Sequence, residues 1–309
     1  MNRHLFTLIF VVAVSCTTRP NLSKEELALY ETQINAWHAQ RIESVKSRDG
    51  WLNLLGLYWL EPGINTFGTS ASNQIVFPEK TVPTKAGYFL VIDGRVEMHL
   101  NDSTGIRIQG AALTDKVVFN PDSVKQPLVL NDRIAWNIIR RDGKFGVRVR
   151  DLTMQGLKSF HGIERFPIDP QYRVQAGFQP SAGRTIDITN VLGQTVAQAS
   201  PGTLVFNWNG KEYKLDVLEG GPSQYFVIIA DETSGRQTYA GGRYLYVDHE
   251  DANGIIVLDF NKAYNPPCVF TPYATCPLPP RQNVLPFSIY AGEKNYAHES
   301  QPADSASAS

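Results

Sequence analysis

The sequence predicts a mainly β protein: an N-terminal amphipathic helix followed by two β-sandwich or barrel-like units. Three observations carry this. Asp93-Gly94, Asp142-Gly143 and Asn209-Gly210 each sit between short apolar runs, which is a strong hairpin signal. The chain holds 24 Gly and 19 Pro in 309 residues, which suits many tight turns. Only one stretch, Lys24 to about Arg48, repeats its apolar residues at helical spacing.

The chain begins with a targeting pattern. Arg3 precedes an apolar-rich run from Leu5 to Val14, and Ala13-Val14-Ser15-Cys16 follows. The run is too short to cross a bilayer as a helix, so residues 1–15 read as a signal peptide. Small residues directly before Cys16 resemble the bacterial lipoprotein cleavage box, in which the cysteine becomes the first residue and carries lipid. Ala13-Val14-Ser15 also suits ordinary signal-peptidase cleavage. Both readings place the mature chain outside the cytoplasm. The first anchors it to the cell envelope membrane through lipid on Cys16.

Residues 16–22 read as a polar tether. Ser23-Lys24-Glu25-Glu26 is a capping box that opens the helical region 23–50. Leu27, Tyr30, Ile34, Trp37 and Ile42 supply its apolar face, and Gly50 is the expected C-cap. Residues 51–151 alternate short strands with turns, as β-sandwiches do. The order Gly63–Ser70, Asn73–Val76 and a Gly94-Arg95-Val96 hairpin loosely resembles a forkhead-associated sandwich. The Arg and Ser-x-x-His with which those modules read phosphopeptides are absent, so phosphothreonine binding is not carried over. Residues 152–297 form the second β unit, with Val284–Ala291 as its last expected strand. Residues 298–309 are polar and low in complexity, the composition of a disordered tail.

Composition excludes some functions. Hydrophobic residues make up 42%, charged residues 19%, and the net charge is -1, so nucleic-acid binding has little electrostatic support. No Gly-x-Ser-x-Gly elbow, His-Glu-x-x-His, P-loop, Gly-x-Gly-x-x-Gly or Cys-x-x-Cys occurs. The 6 histidines are scattered, so no metal site or cofactor is indicated.

The most informative stretch is Leu258–Glu293. Its prolines forbid a helix or central strand. Phe260, Tyr264, Phe270 and Leu285 make it too apolar for a free linker, so it reads as an ordered loop clamped onto the fold. Cys268 and Cys276 lie there and fit a disulfide in an oxidising compartment, free buried thiols, or less simply metal ligation or catalysis. Asp259 and Asn261 share one strand face if Phe260 faces the other way. With Asn265, Asn283 and Glu293 they offer oxygens that suit a small polar ligand or a hard cation. The same groups equally suit capping of irregular backbone. Arg243 follows Gly241-Gly242 and fits either a buried pair with Asp259 or an anionic ligand. Asp259 and Glu293, with the loop residue His161, are the candidate acid and base of a hydrolase.

Several pieces together resemble the bacterial family called domain of unknown function 1684. They are Asp231-x-Thr233-Ser234-Gly235, Thr238-Tyr239, Gly242-Arg243-Tyr244, Asp259-Phe260-Asn261, Ala263–Cys268, Cys276–Pro280, Asn283 and Ala291-Gly292-Glu293. The resemblance implies that the cysteine pair and its polar neighbours belong to one motif, and it implies no activity. The resulting expectation is a membrane-anchored extracytoplasmic lipoprotein. It binds a small polar ligand through Arg243, Asp259, Asn261, Asn265, Asn283 and Glu293. A hydrolase, or a structural envelope protein without ligand, are the alternatives.

Overall fold

A computed structural model of the chain describes residues 22–296, except 102–104, 109–110, 113–116, 121–126, 142, 154 and 253. The signal peptide, Cys16, the tether up to residue 21 and the tail 298–309 lie outside the described residues.

Helix α1 (Lys24–Lys46) opens with the expected capping box: Glu26 N–H donates to Ser23 Oγ, and Ser23 N–H donates to the Glu26 carboxylate. Its buried stripe is Tyr30, Ile34 and Val45. The helix does not reach Gly50. Ser47 turns to extended backbone, and its N–H and hydroxyl both donate to the Ser44 carbonyl. That side chain does the capping expected of Gly50. Gly50 instead closes the next turn, where a Cβ would strike the Val45 carbonyl.

Among the described residues the first unit is a sandwich of eleven strands. They are β1 (Leu54–Trp59), β2 (Gly63–Gly68), β3 (Ile75–Val76), β4 (Gly87–Ile92), β5 (Arg95–Leu100), β6 (Arg107–Ile108), β7 (Ala111–Ala112), β8 (Val117–Phe119), β9 (Val129–Asn131), β10 (Ile134–Arg141) and β11 (Lys144–Asp151). One sheet runs β1-β11-β10-β9-β6-β7 and the other β3-β2-β4-β5-β8. Asp93 and Gly94 both take positive φ, 49° and 71°, which matches the two-residue turn between β4 and β5 to strand twist. Between the sheets Trp136 meets Phe77 edge-on at 5.4 Å, and Phe67 packs on Phe89 at 4.7 Å. Along β11, Phe145, Val147 and Val149 enter this core. Strand alternation therefore turns Gly146, Arg148 and Arg150 to the outer face.

The second unit contains β12 (Arg173–Pro180), β13 (Thr185–Thr189), β14 (Thr195–Ala199), β15 (Gly202–Trp208), β16 (Lys211–Glu219), β17 (Gln224–Ile229), β18 (Arg243–Asp248) and β19 (Ile256–Asp259). Six of them form a sheet in the order β18-β17-β16-β15-β12-β19. Its two end strands, β18 and β19, lie against each other, so the sheet is a nearly closed barrel. Leu204, Phe206, Leu215, Val227, Leu245 and Leu258 fill it. The β13–β14 hairpin stands outside and packs Ile186 and Ile188 on Leu218 and Ile228. Val284–Ala291 is not the strand its alternation suggests. It makes a single parallel bridge, Val284 with Ala230, and otherwise runs as irregular chain.

One buried hydroxyl fastens helix α1 to the end of β19. Tyr30 donates to both carboxylate oxygens of Asp259 at 2.9 Å and accepts from Asn261 Nδ2 at 2.9 Å. Tyr30→Phe deletes that donor without changing the ring. The expected loss is about 1–3 kcal/mol of unfolding free energy, read from urea denaturation, because the carboxylate stays buried with fewer partners.

Candidate functional site

The six polar residues singled out from sequence are all buried, and each is engaged by the fold. Arg243 is fully buried and sits at the start of β18. Its Nη2 donates to Asp231 Oδ2 at 2.8 Å and to the Ile289 carbonyl at 3.1 Å, and its Nη1 donates to the Ala291 carbonyl. The partner is Asp231 and not Asp259. Asp231 Oδ1 accepts from Thr233 N–H, Thr233 Oγ1 and Ile289 N–H. These bonds explain why Val284–Ala291 forms no strand: side chains take the backbone groups a ladder would use. Gly242, at φ 83°, lets β18 begin this close, since a Cβ would meet the Ile229 carbonyl and Pro279.

Asp259 and Asn261 do come together, but through a turn and not a shared strand face. Phe260–Lys262 is a single 3-10 turn capped by Asp259, whose Oδ1 accepts from Asn261 N–H at 3.0 Å. The Asn261 amide then bonds both the N–H and the carbonyl of Asp169. Asn283 does similar work between β16 and β17. It accepts from Asp216 N–H and donates to the carbonyls of Asp216 and Ile228, where those strands have splayed apart.

Glu293 is fully buried. Its Oε2 accepts from Asn265 N–H at 2.7 Å, and Oε1 lies 3.5 Å from Arg41 Nε of α1. Asn265 donates through Nδ2 to the Lys294 carbonyl and accepts from Arg41 at its own carbonyl. Burial pushes the Glu293 carboxyl above its ordinary value, although Arg41, the Asn265 N–H and Arg243 pull it down. Asp259 and Glu293 are no acid–base pair. They engage α1 at positions 30 and 41, separated by roughly 16 Å of helix at 1.5 Å per residue. His161 is exposed beside Phe160, whose ring packs on Phe270 and Tyr296. The expected ligand set is thus a frame. Apart from Asn265 Oδ1, which is buried without a partner, the oxygens a cation or substrate would need face backbone N–H groups, Tyr30 and arginines.

An open concave surface lies elsewhere, where the two units face each other. A cleft of about 400 Å³ is lined by Trp51, Arg141 and Arg148 from the sandwich, Asn190 and Gln198 of the β13–β14 hairpin, and Phe226, Tyr244 and Tyr246 of the barrel. Pro267, Ala274, Cys276 and Pro277 complete its wall. The Cys268 and Cys276 sulfurs stand at bonding distance, with Cα atoms 6.1 Å apart. Tyr244 Oη donates to the Pro277 carbonyl at 2.8 Å and so ties β18 to the cysteine loop. Sequence reasoning found the loop but missed Trp51, Arg148 and Tyr246. Arg148 and Tyr246 occupy outward positions on strands, where a single chain gives no sign of what faces them.

Two outcomes follow from the frame. Arg243→Met strands Asp231 as a buried carboxylate, and urea denaturation should show a loss of about 3–5 kcal/mol. For Glu293 the folded protein holds its proton above the 4.5 of the unfolded chain. Stability therefore falls as pH rises from 4.5 through the raised folded value, and is constant beyond it. Glu293→Gln should remove that decline, measured as unfolding midpoint against pH.

No curated protein matches this chain. The solution NMR structure of an uncharacterized protein of Haloarcula marismortui is similar at 32% identity, covering 45% of this chain and 80% of that one, with a TM-score of 0.38. The profile of a family described as protein of unknown function, DUF1684, matches residues 158–294, a span that contains Asp231, Arg243, Asp259, both loop cysteines and Glu293. Residues 158–294 of the chain are a DUF1684 domain, a family of proteins of unknown function.

Proposed function

We propose that the protein is a lipid-anchored extracytoplasmic module that binds a small molecule in the cleft between its sandwich and its barrel. The single observation that carries this is the cleft itself. Small-molecule sites favour domain junctions and combine aromatic walls with a few polar groups, and this cleft has Trp51, Phe226 and Tyr246 beside Arg148 and Gln198. The 231–293 motif contributes one wall through Tyr244, Tyr246 and the 267–277 loop, while its charged residues hold that wall in place. In the oxidising compartment implied by residues 1–16, Cys268 and Cys276 form a disulfide that stiffens the loop. The anchor is lipid on Cys16, supported by the small residues that precede it.

The test uses full-length protein purified from the cell envelope of an expressing bacterium. Intact-mass analysis should show a lipidated Cys16, and Cys16→Ser should move the protein to the soluble fraction. Native mass spectrometry should show a retained small molecule. Val196→Trp, which fills the cleft from β14, should lose that molecule at unchanged thermal stability. Retention by Val196→Trp equal to the unmodified chain would remove the cleft from consideration.

A further inference from the structure

Among the described residues Arg148 has no counter-charge. It projects from the outer face of β11 into the cleft and is only 8% exposed. Among the described residues no carboxylate lies within ion-pair distance of it and no acceptor takes a hydrogen bond from it; its Nε is buried without a partner. The Trp51 ring lies 5.3 Å from its guanidinium carbon. The neighbouring charges are also positive. Arg141 lines the same cleft, and Arg150 stands two residues along β11, donating to the Gly50 carbonyl and to Asn53 Oδ1.

Three other arginines show the contrast. Arg243, also buried, has Asp231 and backbone carbonyls; the more exposed Arg184 has Asp216 and Arg133 has Asp151. Taking a guanidinium out of water without a partner is strongly unfavourable, so such groups are paired in the resting fold or wait for a ligand. Burial, followed by repulsion from Arg150 and Arg141, lowers Arg148 to about 10, which leaves it cationic at neutral pH.

The geometry points to an organic anion as the ligand of this cleft: a carboxylate or phosphate group paired with Arg148, carried on a flat apolar body that lies against Trp51, Phe226 and Tyr246. The inference rests on the cleft being the binding site and goes further by assigning the ligand its charge. An arginine donates two parallel hydrogen bonds to either oxyanion, which is why the two groups share one chemistry here. The aromatic residues contribute apolar area and ring stacking to the body of the ligand. Arg141, exposed at the rim, steers anions toward the cleft and is screened by salt.

Calorimetric titration with three probes of one shape tests this: 2-naphthoate, 2-naphthyl phosphate and the neutral 2-naphthamide. The unmodified chain should bind at least one anion about tenfold or more tightly than the amide, the size of a charge-assisted hydrogen bond. The tighter anion tells carboxylate from phosphate. Arg148→Met should abolish that preference, while Arg148→Lys should retain part of it. Because Arg148 is unpaired in the fold, Arg148→Met should melt no lower than the unmodified chain. Amide binding equal to that of both anions, and removed by Val196→Trp, would overturn the charge assignment and leave the cleft reading standing. No binding of any probe would overturn the inference, and the retained-molecule measurement would then decide the cleft separately.

Discussion

A single guanidinium organises the second half of this chain. Arg243 lies at the mouth of a nearly closed barrel and spends its donors on Asp231 and on the carbonyls of Ile289 and Ala291. Burying that charge is tolerable only because every direction in which it points, apart from Nε, holds an oxygen. In return the segment that closes the chain is fixed without belonging to any sheet. Asp231 completes the arrangement by accepting from Ile289 N–H, so one ion pair supplies both donor and acceptor to the same stretch of backbone. Asn283, Asn261 and Glu293 repeat the device at other points of the irregular chain.

The frame and the cleft are linked by strand alternation. Along β18, Arg243, Leu245 and Val247 face the barrel interior, and Tyr244 and Tyr246 face out. Fixing Arg243 therefore fixes where the two tyrosines stand in the cleft wall. The Tyr244 hydroxyl carries the restraint on to Pro277, whose neighbour Cys276 stands at bonding distance from Cys268. A change at Arg243 would disturb the cleft without touching any ligand.

Much of the fold was legible because its signals are local. A positive-φ pair such as Asn209-Gly210 can form little but a tight turn, and Ser23 with Glu26 satisfies a helix start whatever surrounds it. The errors arose where tertiary partners replaced local ones. Val284–Ala291 alternates like a strand, yet Arg243 and Asp231 take its hydrogen bonds from outside. Gly50 looked like a cap until Ser47 proved able to cap with its own hydroxyl. The candidate site failed for a chemical reason: the carboxylates and amides that bind ligands are the same groups that satisfy unpaired backbone. Sequence located the region where such groups are concentrated and could not say which need they meet.

Arg148 presents the opposite case. In sequence it is one charge among several on an alternating strand, the pattern of a solvent-facing position. Only the apposition of the barrel and the cysteine loop removes it from water, and only the absence of an acidic side chain nearby, among the described residues, makes that removal costly. A charge buried by one unit against another has two stable outcomes, a fixed partner or a transient one. The described residues supply fixed partners to Arg243, Arg184 and Arg133 and none to Arg148. The residues that most resemble a site by composition thus build the walls. The residue that composition passes over carries the unsatisfied charge.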